Sequence, residues 1–235
     1  MSKTIKVVVP DGEFDLHVWE PAGGSGPGIL LIQEIFGVGE YIRAVAEDLA
    51  GLGYVVAAPD LFWRLQPGWA VPHTEETVKQ SIELGARFDA EKGVDDLAAA
   101  LELLRELPQV TNGVGALGFC LGGTMAHLLA ARADLDVAVA FYGSGVPDAL
   151  QLLDQISCPI LYIFGGSDPY IPREQVARVE EAVAGRANAT IQVLEEAGHA
   201  FHNRKAPMFH QPEPAARAWE LTEEYLKRNF PAQPR

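Results

Sequence analysis

Residues 113–123 read Gly-Val-Gly-Ala-Leu-Gly-Phe-Cys-Leu-Gly-Gly, and an Ala/Leu-rich stretch from Thr124 to Arg132 follows at once. A short apolar run, a tight turn and a helical run in direct succession leave few folds open. The core of the stretch, Gly118-Phe119-Cys120-Leu121-Gly122, is G-x-C-x-G, the cysteine form of a nucleophile elbow. A residue at the tip of such a turn is held in a strained backbone conformation, so positions two before and two after it must lack a Cβ. Gly118 and Gly122 meet that need. Cys120 is then expected above a sheet edge at a helix N-terminus, where free amides and the helix dipole favour a thiolate. The competing reading is a buried structural cysteine in an ordinary β–α turn.

The rest of the chain agrees with an α/β architecture. Lys3–Val9 and Phe14–Trp19 read as a hairpin about Asp11-Gly12. Continuous apolar runs of the kind buried in parallel sheets occur at Gly28–Gln33, Tyr54–Ala58, Val114–Phe119, Val137–Tyr142 and Ile160–Phe164, with a further strand at Thr190–Leu194. Between them lie helical patterns at Tyr41–Leu52, Glu75–Arg87, Asp89–Leu107, Thr124–Arg132, Pro147–Gln155, Arg173–Ala184 and Pro214–Phe230. Leu61–Thr74, with Trp63, Trp69, Pro67 and Pro72, has no period and reads as a loop that forms a lid or a substrate wall. The alternation predicts a mostly parallel sheet with helices on both faces and ligands over the carboxyl ends of its strands. No linker or repeat interrupts it, and 235 residues suit one domain spanning 1–235.

Charge and cysteine usage narrow the function. A formal net charge of −14 argues against nucleic acid and anionic membranes as partners. The opening Met1-Ser2-Lys3-Thr4-Ile5-Lys6 lacks the apolar core of a secretion signal, and no apolar run is long enough for a transmembrane helix. A nucleophilic Cys120 is not in a structural disulfide, so a reducing, cytoplasmic setting is expected. Cys158, just before Pro159, reads as a small core residue. A small-molecule substrate and a monomer are the expectation.

Four chemically useful residues stand at expected strand ends: Glu34, Cys120, Asp168 and His199. A thiol of ordinary pKa is a few per cent ionised at neutral pH and needs a base. His199, in the loop after the last strand, is the candidate base, and Asp168 the candidate that orients its imidazole. The order nucleophile, acid, histidine is that of α/β-hydrolases. An oxyanion hole needs two backbone N–H groups. Leu121, after the nucleophile, and Ile35, in the loop after the Gly28–Gln33 strand, are the candidates. Glu34 is expected near the thiol, holding it protonated at rest and able to accept its proton; a surface carboxylate or a salt bridge is the alternative.

Taken together, Gln33-Glu34-Ile35-Phe36-Gly37, Pro59-Asp60-Leu61, Gly118-Phe119-Cys120-Leu121-Gly122-Gly123, Tyr142-Gly143, Gly165-Gly166-Ser167-Asp168 and Gly198-His199-Ala200-Phe201 resemble the dienelactone hydrolases (carboxymethylenebutenolidases) over nearly the whole chain. The resemblance implies an α/β-hydrolase fold, a Cys120–His199–Asp168 triad, regulation of the thiol by Glu34, and oxyanion donation by Leu121 and Ile35. Tyr142 matches an active-site tyrosine of the family. Characterised members bind a substrate carboxylate with two arginines. Counted from Cys120, Val78 and Asn203 stand at those positions here, with Lys79 and Arg204 beside them and Arg87 farther along. Tyr142, Lys79, Arg87 and Arg204 are therefore the expected substrate-binding side chains. Dienelactone and a related ester or lactone stay open as substrates.

The expected activity is hydrolysis of a small ester or enol lactone through a thioester, without metal or cofactor. Gly115-x-x-Gly118 lacks the pattern of a dinucleotide fingerprint. His199, His202 and Asp168 offer only a loose metal spacing, and His202 is expected to hydrogen-bond locally. Two other classes compete: a thiol redox or peroxide sensor with Cys158 as resolving partner, and a non-catalytic binder on a hydrolase scaffold.

Overall fold

The computed structural model describes residues 2–230; Met1 and 231–235, the two ends of the 1–235 domain expected from sequence, lie outside them. Eight strands form one sheet in the order β1-β2-β4-β3-β5-β6-β7-β8. β1 (Ser2–Val9) and β2 (Gly12–Trp19) form the hairpin, and β2 runs antiparallel to β4 (Val55–Pro59). β3 (Gly26–Ile32), β4, β5 (Val110–Phe119), β6 (Val137–Phe141), β7 (Ile160–Gly165) and β8 (Ala189–Leu194) are parallel. The apolar runs explain the parallel centre: every residue of β4, β6 and β7 is buried, as strands covered on both faces require. The covering helices are α1 (Glu40–Gly51), α2 (Glu75–Gly85), α3 (Ala90–Glu106), α4 (Leu121–Arg132), α5 (Arg173–Val183) and α6 (Pro212–Asn229).

The strand order places the site. β3 lies between β4 and β5, so the chain leaves β3 toward one side and returns on the other. That reversal opens a crevice at the carboxyl ends of β3 and β5. Their register pairs Ile32 with Gly118, which brings the residues just beyond them, Glu34 and Cys120, to one edge of the sheet.

Two expectations needed correction. Pro147–Gln155 is two short 3₁₀ turns, Val146–Asp148 and Leu150–Gln155, because neither is long enough for the cooperative α ladder. The 61–74 loop, expected to form a lid or a substrate wall, puts no residue on the wall of the cavity around Cys120. Asp60 anchors it, accepting from Phe62 N–H at 3.1 Å and Gly68 N–H at 2.7 Å. The loop then straps onto the segment after β3: Trp69 Nε1–H donates to Ile35 C=O at 3.1 Å and Val71 N–H to Phe36 C=O at 3.2 Å.

Candidate functional site

Cys120 occupies the bend between β5 and α4 with φ 55° and ψ −114°, a conformation a non-glycine residue holds only where its surroundings enforce it. The two glycines are what make the bend possible. A Cβ on Gly118 would lie 1.9 Å from Gly122 C=O, and one on Gly122 would lie 2.2 Å from Ile32 C=O. The bend is fastened by Cys120 N–H donating to Phe141 C=O at 3.0 Å.

The sulfur has one side-chain partner among the described residues. His199 Nε2 lies 3.2 Å from Cys120 Sγ, and His199 Nδ1–H donates to Asp168 Oδ2 at 2.7 Å. Asp168 is buried, and its other oxygen accepts from Tyr170 N–H at 2.8 Å and Ile171 N–H at 3.2 Å. The carboxylate is therefore fixed before the imidazole meets it. The His199 loop is held in turn by Gln211, whose side chain accepts from Gly198 N–H at 2.7 Å and donates to Glu196 C=O at 3.2 Å. Burial pulls the His199 pKa down, but negative charge on Cys120 and the hydrogen bonds to Asp168 and Cys120 outweigh it and raise the imidazole to about 10.

Glu34 is buried and borders the same cavity as Cys120. One of its oxygens is held by two side chains: His73 Nε2–H donates to Glu34 Oε1 at 2.6 Å, and Asn203 Nδ2–H donates to the same oxygen at 2.9 Å. Nε2 carries a single proton and gives it to the carboxylate, so the 2.9 Å approach of Asn203 Nδ2 to it is a packing contact. His73 was missed by sequence reading, since it sits in an aperiodic loop 39 residues away. A buried carboxylate expected at a strand end was the one signal that such a partner must exist.

Around Cys120 and His199 lies a cavity of about 140 Å³. Leu121 follows Cys120 as the first residue of α4, and Ile35, in the loop after β3, lines the cavity. The bonds that fix the latter loop use the Glu34 and Ile35 carbonyls and leave the Ile35 amide out. The four expected substrate-binding side chains are not on the wall. Tyr142 is fully buried and packs against the His199 ring, with centroids 5.2 Å apart. Arg204 is turned to Asp48 at 2.6 Å and to Ala44 C=O. Arg87 lines separate clefts beside Leu61 and Trp69, and Lys79 is exposed on α2.

His202 is no ligand. It is buried, its Nδ1 lies 2.7 Å from the Tyr41 hydroxyl, and burial first, then the nearby Arg204 charge, push its pKa down to about 3. Among the described residues no cluster of His, Cys, Asp and Glu is arranged to hold a metal ion, and no helix is long and apolar enough to cross a membrane.

Residues 14–230 match the model of the dienelactone hydrolase family. The chain belongs to the dienelactone hydrolase family. It is 36% identical to the carboxymethylenebutenolidase of Pseudomonas putida over 203 residues, 86% of each chain. It is 34% identical to carboxymethylenebutenolidase 1 of Cupriavidus pinatubonensis over 204 residues, 85% of this chain and 86% of that one. A Klebsiella pneumoniae crystal structure assigned to the dienelactone hydrolases superposes with a TM-score of 0.85 at 26% identity, covering 97% of this chain and 98% of that one. The dienelactone hydrolase of Anabaena variabilis shares the fold at a TM-score of 0.72 and 19% identity, each chain covered to 98%. The architecture described above is thus the α/β-hydrolase fold, and the protein is a hydrolase of the ester and lactone class.

Proposed function

We propose that this dienelactone hydrolase homologue cleaves a small ester or lactone by way of a thioester on Cys120. The observation that carries the reading is the unbroken hydrogen-bonded chain Cys120–His199–Asp168 at a strained elbow facing a cavity.

In the first half-reaction the Cys120 thiolate attacks the carbonyl carbon. The carbon–sulfur bond forms as the carbonyl π pair moves onto oxygen. The Leu121 and Ile35 amides receive that oxyanion, the first aligned with the positive end of α4. Collapse breaks the carbon–oxygen bond to the leaving group, which takes its proton from the His199 imidazolium. An enolate leaves most readily, because resonance spreads its charge. In the second half, His199 removes a proton from water, the hydroxide attacks the thioester, and the acid departs as the thiolate reforms. Asp168 holds the Nδ1–H tautomer and stabilises the imidazolium in both halves.

Both cysteines are free, which suits a reducing, cytoplasmic compartment. The redox reading is disfavoured by position. Cys158 precedes β7 and Cys120 follows β5, at opposite ends of parallel strands about 20 Å apart at about 3.3 Å per residue, and Cys158 is 4% exposed. Acid quench during turnover of a 4-nitrophenyl ester should leave the acyl mass on the peptide containing Cys120, and Cys120→Ala should abolish turnover. An acyl adduct elsewhere, or wild-type turnover by Cys120→Ala, refutes the proposal.

A further inference from the structure

We propose that the cavity selects an uncharged ester or lactone with a compact apolar acyl part and rejects the same substrate carrying a carboxylate. The inference rests on the thioester reading above and adds the class of substrate.

Three observations carry it. First, beyond the reacting groups the wall is mostly apolar: Ile35, Phe36, Val78, Ile82, Ala200 and Phe209 supply most of it, with Ser144 and Tyr170 as its neutral polar side chains. Ile82 and Tyr170, at 49% and 56% exposure, are two of the large hydrophobic side chains that the described surface leaves open, and both edge this cavity. An apolar rim on an acidic protein marks where an apolar ligand enters.

Second, no lysine or arginine lines the cavity among the described residues, and the ionisable wall groups are Glu34, Cys120, Tyr170 and His199. The imidazolium is committed to the sulfur and to Asp168 at 3.2 and 2.7 Å. A substrate carboxylate would lose its water, meet no cation and face the Glu34 carboxylate, each of which disfavours binding. Arg204 is held by Asp48 and Ala44 C=O, and Arg87 lines other clefts.

Third, Glu34 Oε1 already accepts from His73 and Asn203, so neither of those donors is free to hold a substrate carboxylate. The volume of about 140 Å³ is close to that of a cavity that takes up benzene, roughly 150 Å³, so the acyl part is small.

The test is a matched pair differing at one end: 4-nitrophenyl hexanoate and mono-4-nitrophenyl adipate, in which a methyl becomes a carboxylate. Rates are corrected for non-enzymatic hydrolysis. The expected kcat/KM favours the hexanoate at least 100-fold, and Val78→Arg, which puts a guanidinium on the wall, shifts that ratio toward the adipate at least 10-fold. Equal rates, or preference for the adipate, overturn the substrate class. Cys120→Ala separates the two readings. If it abolishes turnover while the adipate is preferred, the thioester stands and the selectivity falls. If turnover survives it, or wild type cleaves neither ester, both fall.

Discussion

His73 Nε2 lies 2.6 Å from Glu34 Oε1, with the two side chains 5% and 2% exposed. A loop histidine thus supplies what a carboxylate at the end of a buried strand cannot do without. Removing one partner of a buried pair leaves the other unsatisfied and costs about 3–5 kcal/mol. His73→Phe is expected to lower unfolding free energy by about 3 kcal/mol in urea titration. Adding Glu34→Gln should recover at least half, since a neutral amide still accepts from Asn203. A double-mutant cycle reads the coupling; strictly additive losses would show that the pair does not interact.

The imidazole of His199 should titrate far above an ordinary histidine. Its folded pKa is raised from 6.5 to about 10, so the folded state binds the proton more tightly than the unfolded one. Its stabilising contribution is therefore full below about pH 6.5 and is lost as pH climbs through 10. The alkaline limb of kcat/KM should lie near 10, where the leaving group loses its proton donor. NMR titration of the ring in Cys120→Ala should give a lower pKa, because the sulfur charge is among the causes that hold it up. An alkaline limb near 7 in wild type would contradict the ion pair.

The legible part of this molecule was the part fixed by local pattern. Cys120 was marked by its flanking glycines, and Asp168 and His199 each stood just beyond a strand. Parallel strands in one sheet necessarily bring such residues to a common edge. The direction in which a loop side chain turns has no local signature. Glu34 borders the cavity with Cys120, but the residues that hold its Oε1, His73 and Asn203, stand 39 and 169 positions away. Arg204 sits beside the position expected for a substrate ligand, yet Asp48 on α1 captures it. β5 begins at Val110, four residues before its apolar run, because Val110 pairs with Gly26 and Asp136 accepts from Val114 N–H at 2.8 Å. Those partners come from other elements, and no window of sequence contains them.

The two thiols should differ sharply in reactivity. Burial raises Cys158 to about 11, so near pH 8 it is almost wholly protonated and shielded. Cys120 is partly exposed and borders the cavity. Iodoacetamide at pH 8 is expected to add one label, on Cys120, at least 100-fold faster than on Cys158, with loss of esterase activity in parallel. Cys158→Ala should leave the rate of Cys120 labelling and the rate of activity loss unchanged. Label arriving first on Cys158 would reverse the assignment.

A charged cluster outside the cavity wall should govern stability without touching chemistry. Arg64 spans two elements: it donates to Asp11 at the hairpin turn through Nε and Nη2, both at 2.9 Å, and to Asp96 on α3. Its guanidinium also lies 4.1 Å from the centre of the Trp63 ring, whose Nε1–H donates to Asp96 at 2.9 Å. The Asp11 arm is exposed and contributes little. The Asp96 side chain is 1% exposed, so its charge depends on this cation. Arg64→Ala should lower stability by about 3 kcal/mol, a fall in Tm of roughly 6–12 °C for a chain of this size, with kcat/KM within twofold of wild type. Arg64→Lys should lose less, because it keeps the charge but not the two-armed fork. Pairing Arg64→Ala with Asp96→Asn should restore part of the loss by removing the stranded charge. If Arg64→Ala melts at the wild-type temperature, Asp96 is satisfied by Trp63 alone, and the bridge between hairpin and helix carries no stability.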